Sequence, residues 1–283
     1  MSDFFQANSA LILQILSVIA IAGIGFFTFK IDPLHLTTKK LAIAAMLIVL
    51  SVVLQLFSLM VPLFGFPSFR IGFSQLPLMM IGVLLGPSWA VLSGIIQDFL
   101  GLIVTPTGYP FFGFTLNKVV IAFLPALIFS KKLKMSSKHL NWIVQATLVL
   151  FFAGTIAYLW QTQSVFVSEG EVEISLMNKV VISLLSAAMM IGLMFMIHWI
   201  SQKYQRYEHI VPIGLWALSV ILVEIVVQLV LTPIWLVAMY GIPVWLSFLV
   251  RVVKAAVMVP VLIVIGYGIL LLFGRMNLMS KRK

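Results

Sequence analysis

The chain has 283 residues, of which 62% are hydrophobic and only 9% charged, with a mean hydropathy of +1.17. So apolar a composition excludes an ordinary soluble domain, and repeated runs near the ~20 residues that cross a bilayer point to a polytopic membrane protein. There is no cysteine, so disulfides and thiolate metal sites are excluded.

Helices satisfy their own backbone where water is missing, and no alternating polar/apolar segments mark barrel strands. The fold class read from the sequence is therefore all-α. Residues 9–29 form a first span, with no positive charge in its start, MSDFF, and Lys30 after it. That polarity is the reverse of a signal peptide, so a retained helix is expected, with the N-terminus outside. Lys39 and Lys40 precede a helix over 41–61, whose early face carries the small residues Ala42, Ala44 and Ala45. Residues 62–67, between two prolines, read as an outer loop.

Two hinged helices, 74–86 and 88–103, are expected next, because Gly86-Pro87 interrupts an otherwise continuous apolar run. A helix over 111–129 then descends to the basic run KKLK. Helices over 140–160 and 177–200 form a hairpin around a loop carrying Glu169, Glu171 and Glu173. A helix over 210–231, an aromatic outer loop TPIWLVAMYGIPVW, and a last helix over 246–273 complete nine spans.

The net charge of +10 would suggest nucleic acid in a soluble protein. Its placement assigns it to topology. Lys30, Lys39, Lys40, Lys131, Lys132, Lys134, Lys138, Lys203, Arg206, Arg275, Lys281, Arg282 and Lys283 all fall in loops or ends on one side of these spans. By the positive-inside rule that side, with the C-terminus, is cytoplasmic, and no nucleic-acid partner is expected.

Arg70, Lys118, Lys179, Arg251 and Lys254 escape that side, and all lie toward the outer half. Lys179 reads as snorkelling to headgroups. Arg251 and Lys254 are three apart and share a helix face. Asp98 and Glu224 also lie in outer halves, with Gln228 one turn beyond Glu224. Intramembrane charge is expensive, so this cluster reads as a cavity open to the exterior; its basic excess suits an anionic or zwitterionic solute. Trp235, Tyr240 and Trp245 offer stacking surfaces, or equally an interfacial aromatic belt. No HExxH, GxSxG or GxxxxGK[ST] pattern occurs, so neither an enzyme, a metal site nor a cofactor is expected.

In FRIGFSQLPLMMIGVLLGP (69–87), the SG…DFLG run ending at Gly101, PTGYPFFGFTL (106–116), LTPIWLVAMYG (231–241) and RVVKAAVMVP (251–260), the sequence resembles the S components of energy-coupling factor (ECF) transporters, folate-type branch. The resemblance implies a six-helix core, with about three additional transmembrane helices here. The divisions are 1–38 as an extra N-terminal helix, 39–136 as core helices 1–4, 137–206 as an inserted hairpin accessory to the site, and 207–283 as core helices 5–6. It also implies a multi-pass cell-membrane subunit that captures a folate-like vitamin. Its partners would be a transmembrane coupling subunit and two ATPases.

Substrate binding is expected at Arg70, Asp98, Lys118, Glu224, Trp235, Tyr240, Arg251 and Lys254, and docking on the coupling subunit at Ala42, Ala45 and Val49. Val49 stands where the family often has a second alanine, Lys118 where it has a small or neutral residue, and Pro233 where it has threonine. The competing readings are a self-sufficient ion-coupled transporter using Asp98 and Glu224, and an integral membrane lipid enzyme using Asp98.

Overall fold

The computed structural model describes residues 2–63, 66–106, 110–130, 137–161, 164–167, 170–173, 176–203, 212–240 and 244–276. Ten α-helices dominate these residues: α1 Ser2–Ile31, α2 Thr38–Leu56, α3 Gln75–Leu85, α4 Pro87–Val104, α5 Phe112–Ile128, α6 Ser137–Gln161, α7 Leu176–Lys203, α8 Ile213–Val223, α9 Thr232–Tyr240 and α10 Val244–Arg275. A π-helical segment, Glu224–Leu231, joins α8 to α9 without a break. Two antiparallel hairpins complete the set, β1 Leu59–Leu63 with β2 Phe66–Ile71, and β3 Ser164–Val167 with β4 Gly170–Glu173.

Among the described residues, five helical stretches are long and apolar enough to cross a bilayer: Asn8–Ile31, Thr38–Leu56, Pro87–Val104, Ile213–Met239 and Met258–Arg275. Shorter apolar helices accompany them, among them Gln75–Leu85 and Phe112–Ile128. The protein is a multi-pass helical membrane protein. α3 has 11 residues, all buried, and at about 1.5 Å per residue it is too short to span. It is tolerated at depth because α2, α4 and α5 surround it.

Local chemistry explains the boundaries. Thr37 caps α2, its hydroxyl accepting the Lys40 N–H at 3.3 Å. Gly86 has φ +98°, a conformation that costs glycine little, and Pro87 follows as the first residue of α4. The hinge expected at Gly86-Pro87 is present. At the same corner Ser88 donates to the Asp32 carbonyl, tying the α3–α4 turn to the exit of α1.

Two expected loops are hairpins. The helix expected to run to residue 61 stops at Leu56, and of the stretch expected as a loop Pro62 and Leu63 lie in β1 and Phe66 and Pro67 in β2. Pro62 biases Val61 toward extended backbone, and the ladder shifts register between Val61 and Pro62, where proline has no N–H to give. The acidic loop includes β3–β4, with Glu171 and Glu173 in β4, while Glu169 lies outside the described residues.

A third correction concerns 232–245. The aromatic outer loop expected there is helical over Thr232–Tyr240. Pro233 lies where the π segment passes directly into α9, and it has no N–H to give to the Leu229 carbonyl behind it.

α5 is the hub, packing against α1, α3, α4, α8, α9 and the π segment. Its approach to α4 depends on Gly94, where a Cβ would lie 2.7 Å from the Val119 Cα. The core runs through Leu78, Met79, Ile81, Ala122, Ala126, Trp216, Leu262 and Ile263. The Trp216 indole N–H is shared between the carbonyls of Leu262 (3.3 Å) and Ile263 (3.2 Å), fixing α8 to α10. α6 and α7 pack on each other and on α8, and α1 packs on α4, α5 and α9.

The alternating path places Lys30, Lys39, Lys40 and Arg275 at one end of the bundle. β1–β2, the end of α4, the start of α5, the end of α9 and the start of α10 lie at the other.

Candidate functional site

At the end away from those basic residues, side chains from six elements form two polar clusters inside an otherwise apolar bundle. The first joins α2, α4 and α5. Thr115 donates to Asp98 Oδ2 at 2.6 Å, and the Lys118 ammonium is close enough to act on the same carboxylate. Gln55 connects the rest. Its Oε1 accepts from Lys118 Nζ (3.3 Å) and Gln97 Nε2 (3.0 Å), and its Nε2 donates to the Thr105 hydroxyl (2.8 Å). With both ends engaged, the Gln55 amide has one orientation.

The second cluster joins α3, the π segment and α10. Gln75 donates to Glu224 Oε1 at 2.6 Å, while Glu224 Oε2 is buried with no hydrogen-bond partner among the described residues. Gln228 Oε1 accepts from Arg251 Nη1 (3.0 Å) and Lys254 Nζ (3.3 Å), and Arg251 Nε also donates to Ser247 (3.2 Å). Arg251 and Lys254 are only 6% and 8% exposed. No carboxylate among the described residues lies within ion-pair distance of them, although Glu224 is near enough to act on both electrostatically. Two buried cations therefore share one neutral amide oxygen. That arrangement leaves positive charge for an incoming anion to neutralise.

Between the clusters lies a hydrogen-bonded relay. Trp235 Nε1 donates to Asn117 Oδ1 (3.0 Å), and Asn117 Nδ2 donates to the Thr232 hydroxyl (3.1 Å). That hydroxyl donates to the Val227 carbonyl (2.6 Å). Trp235 is 5% exposed and stacks obliquely on Phe111 with ring centroids 5.8 Å apart. It is thus a packed, hydrogen-bonded residue of α9, not part of an interfacial loop.

Of the expected binding residues, Asp98 and Lys118 meet in the first cluster, and Glu224, Arg251 and Lys254 in the second. Arg70 lies on β2, paired with Met60, and β2 packs against α10; its side chain, like those of Tyr240 and Trp245, lies outside the described residues. Lys179 is half-buried on α7. Ala42, Ala45 and Val49 are exposed along one face of α2, opposite the buried Ala44, Leu47, Ile48, Ser51 and Val52.

Reading by formal charge missed Gln55, Gln75, Gln97, Thr115, Asn117 and Thr232. An amide inside an apolar run carries the same signal as a charge, at lower strength. A search for Gln and Asn within spans would have found four of the six. The described residues contain no group of three His, Asp or Glu side chains placed to hold a metal ion.

No family model matches the sequence. Two curated relatives match parts of it. The "Folate transporter FolT" of Clostridium novyi is 38% identical over 84 residues, 30% of this chain and 48% of that protein. The "Uncharacterized protein MG313 homolog" of Mycoplasma pneumoniae is 30% identical over 138 residues, 46% of this chain and 46% of that protein. The chain spans about half the length of the curated relatives it matches. A solved structure described as "Crystal structure of FolT bound with folic acid" aligns over 88% of this chain and 96% of its own, at 18% identity and a TM-score of 0.47. The chain is thus a multi-pass helical membrane protein similar, over those 84 residues, to a folate transporter.

Proposed function

We propose that this protein is the substrate-capturing subunit of an ECF-type, ATP-driven importer, and that its solute is folate or a related anionic vitamin. One observation carries the reading: Arg251 and Lys254, both buried, converge on Gln228 Oε1 with no ion-paired carboxylate among the described residues. Buried charge is costly unless paired, so a site built around these two cations suits an anionic partner. The 38% similarity to FolT of Clostridium novyi over 84 residues supports folate as that partner.

The polar clusters lie at the end away from Lys30, Lys39, Lys40 and Arg275, which favours capture from outside. Both termini then follow the alternation, N-terminus outside and C-terminus cytoplasmic. On this reading the exposed Ala42, Ala45 and Val49 face of α2 meets the coupling subunit, because small side chains let helices approach. The chain itself performs no chemistry; the energy comes from two ATPase partners.

Purified chain in nanodiscs, titrated with folate, nicotinamide and riboflavin, should bind folate saturably and the neutral vitamins far more weakly. Folate uptake into vesicles should require a coupling subunit, the ATPases and ATP. Uptake by the chain alone under an ion gradient would overturn the proposal, and so would absence of folate binding by folded protein.

A further inference from the structure

The π-helical segment Glu224–Leu231 interrupts an apolar helix, and nothing in its own sequence requires it. A π turn has poorer packing along its axis than an α turn and persists where something outside it compensates. Two features here do so. Pro233 has no N–H for the Leu229 carbonyl, and in an α-helix its ring would collide with that carbonyl; a wider turn moves the two apart. Thr232 supplies the second. Its backbone N–H and its hydroxyl both engage the Val227 carbonyl, five residues back, the hydroxyl at 2.6 Å.

That hydroxyl is itself held by Asn117 Nδ2 at 3.1 Å, and Asn117 is held by Trp235 Nε1 at 3.0 Å. All three side chains are buried, at 6% exposed for Asn117, 7% for Thr232 and 5% for Trp235. The relay has a fixed direction, because the indole can only donate and the Asn117 amide must therefore present its NH2 to Thr232.

The register matters because of what the π segment carries. Glu224 opens it and reaches Gln75, and Gln228 lies within it and reaches Arg251 and Lys254. Tightening one π turn to an α turn slips the helix by one residue, about 100° of rotation. Gln228 and Glu224 could not then both keep their partners.

We propose that Asn117 and Thr232 are positioning residues: their relay holds the segment in π register, and that register aligns Gln228 and Glu224 with Arg251, Lys254 and Gln75. The functional consequence rests on reading this cluster as the solute site; the structural part does not.

The test uses the full chain in nanodiscs, with Thr232→Val, which keeps shape and loses the hydroxyl, and Thr232→Ser, which keeps the hydroxyl. Thr232→Ser should bind folate within about 2-fold of wild type, and Thr232→Val about 10-fold or more weakly. In an Arg251→Gln background Thr232→Val should add almost nothing, because both act on one constellation. The same fold-loss in both backgrounds would overturn the positioning role.

A second readout needs no ligand. The chain has no cysteine, so Gln228→Cys gives a single thiol on the π segment. Its labelling rate with a charged methanethiosulfonate should differ at least 5-fold between the Val and Ser forms at position 232; equal rates would overturn the register claim. Should Thr232→Val fail to fold, Asn117→Asp replaces it, offering an acceptor where the Thr232 hydroxyl needs a donor. If the wild-type chain binds no folate, the proposed solute fails and the thiol rates alone decide the clamp.

Discussion

Gln228 allows the charge reading of the site to be tested by a change of sign. Its Oε1 accepts from Arg251 at 3.0 Å and from Lys254 at 3.3 Å, and it is half-buried while both cations are buried. A hydrogen bond to a charged group contributes about 1.5–3 kcal/mol. Taking the lower figure for a half-buried acceptor, Gln228→Leu should destabilise the unliganded protein by about 3 kcal/mol, since it strands two cations. Gln228→Glu does the opposite, placing a carboxylate between the cations and stabilising the unliganded fold. That internal carboxylate then occupies the place proposed for the solute's own. Anion binding should fall by about 2–3 kcal/mol, or about 30- to 150-fold in affinity.

Thermal unfolding in nanodiscs, with and without folate, measures both effects. Gln228→Leu should unfold earlier than wild type and gain more from folate. Gln228→Glu should unfold later and gain less. If the two substitutions move unliganded stability in the same direction, or if Gln228→Glu binds folate as tightly as wild type, the convergence of Arg251 and Lys254 on this oxygen is not what receives the anion.

Neutralising either cation, as Arg251→Gln or Lys254→Gln, should weaken folate binding by about 2–5 kcal/mol in titrations of folded protein. Ala45→Trp, on the exposed face of α2, should leave binding intact and abolish copurification with a coupling subunit. Gly94→Ala sets a methyl 2.7 Å from the Val119 Cα, so α4 and α5 must separate at the level of Lys118; a loss of about 1–3 kcal/mol in stability, with weaker binding, is expected from thermal unfolding and titration. Joining residue 134 to residue 206 by a flexible linker, which removes α6 and α7, should leave folate affinity within a few-fold of wild type, as equilibrium binding would show.

The sequence by itself determined the membrane class, the order of the helices and most of their ends, because those depend on local quantities. Apolar length sets a span, and Gly86-Pro87 breaks the chain wherever it lies in the fold. It also marked Asp98, Lys118, Glu224, Arg251 and Lys254, since a charge in an apolar run is conspicuous before any partner is known.

Only the tertiary structure decided how those charges are grouped. Asp98 with Lys118 and Glu224 with Arg251 and Lys254 form separate clusters, joined through amides and hydroxyls on other helices. The π register of Glu224–Leu231 was equally illegible. It depends on Asn117, more than a hundred residues away in sequence, and on Thr232 and Trp235 one to two turns along. The helical state of 232–240 was hidden for a related reason. Proline after threonine reads locally as a loop, whereas packing of Trp235 against Phe111 and its bond to Asn117 hold the chain helical through Pro233 although that residue gives no N–H to the ladder. Long-range packing outweighs local propensity where buried polar atoms must find partners, and those partners cannot be read from spacing along the chain.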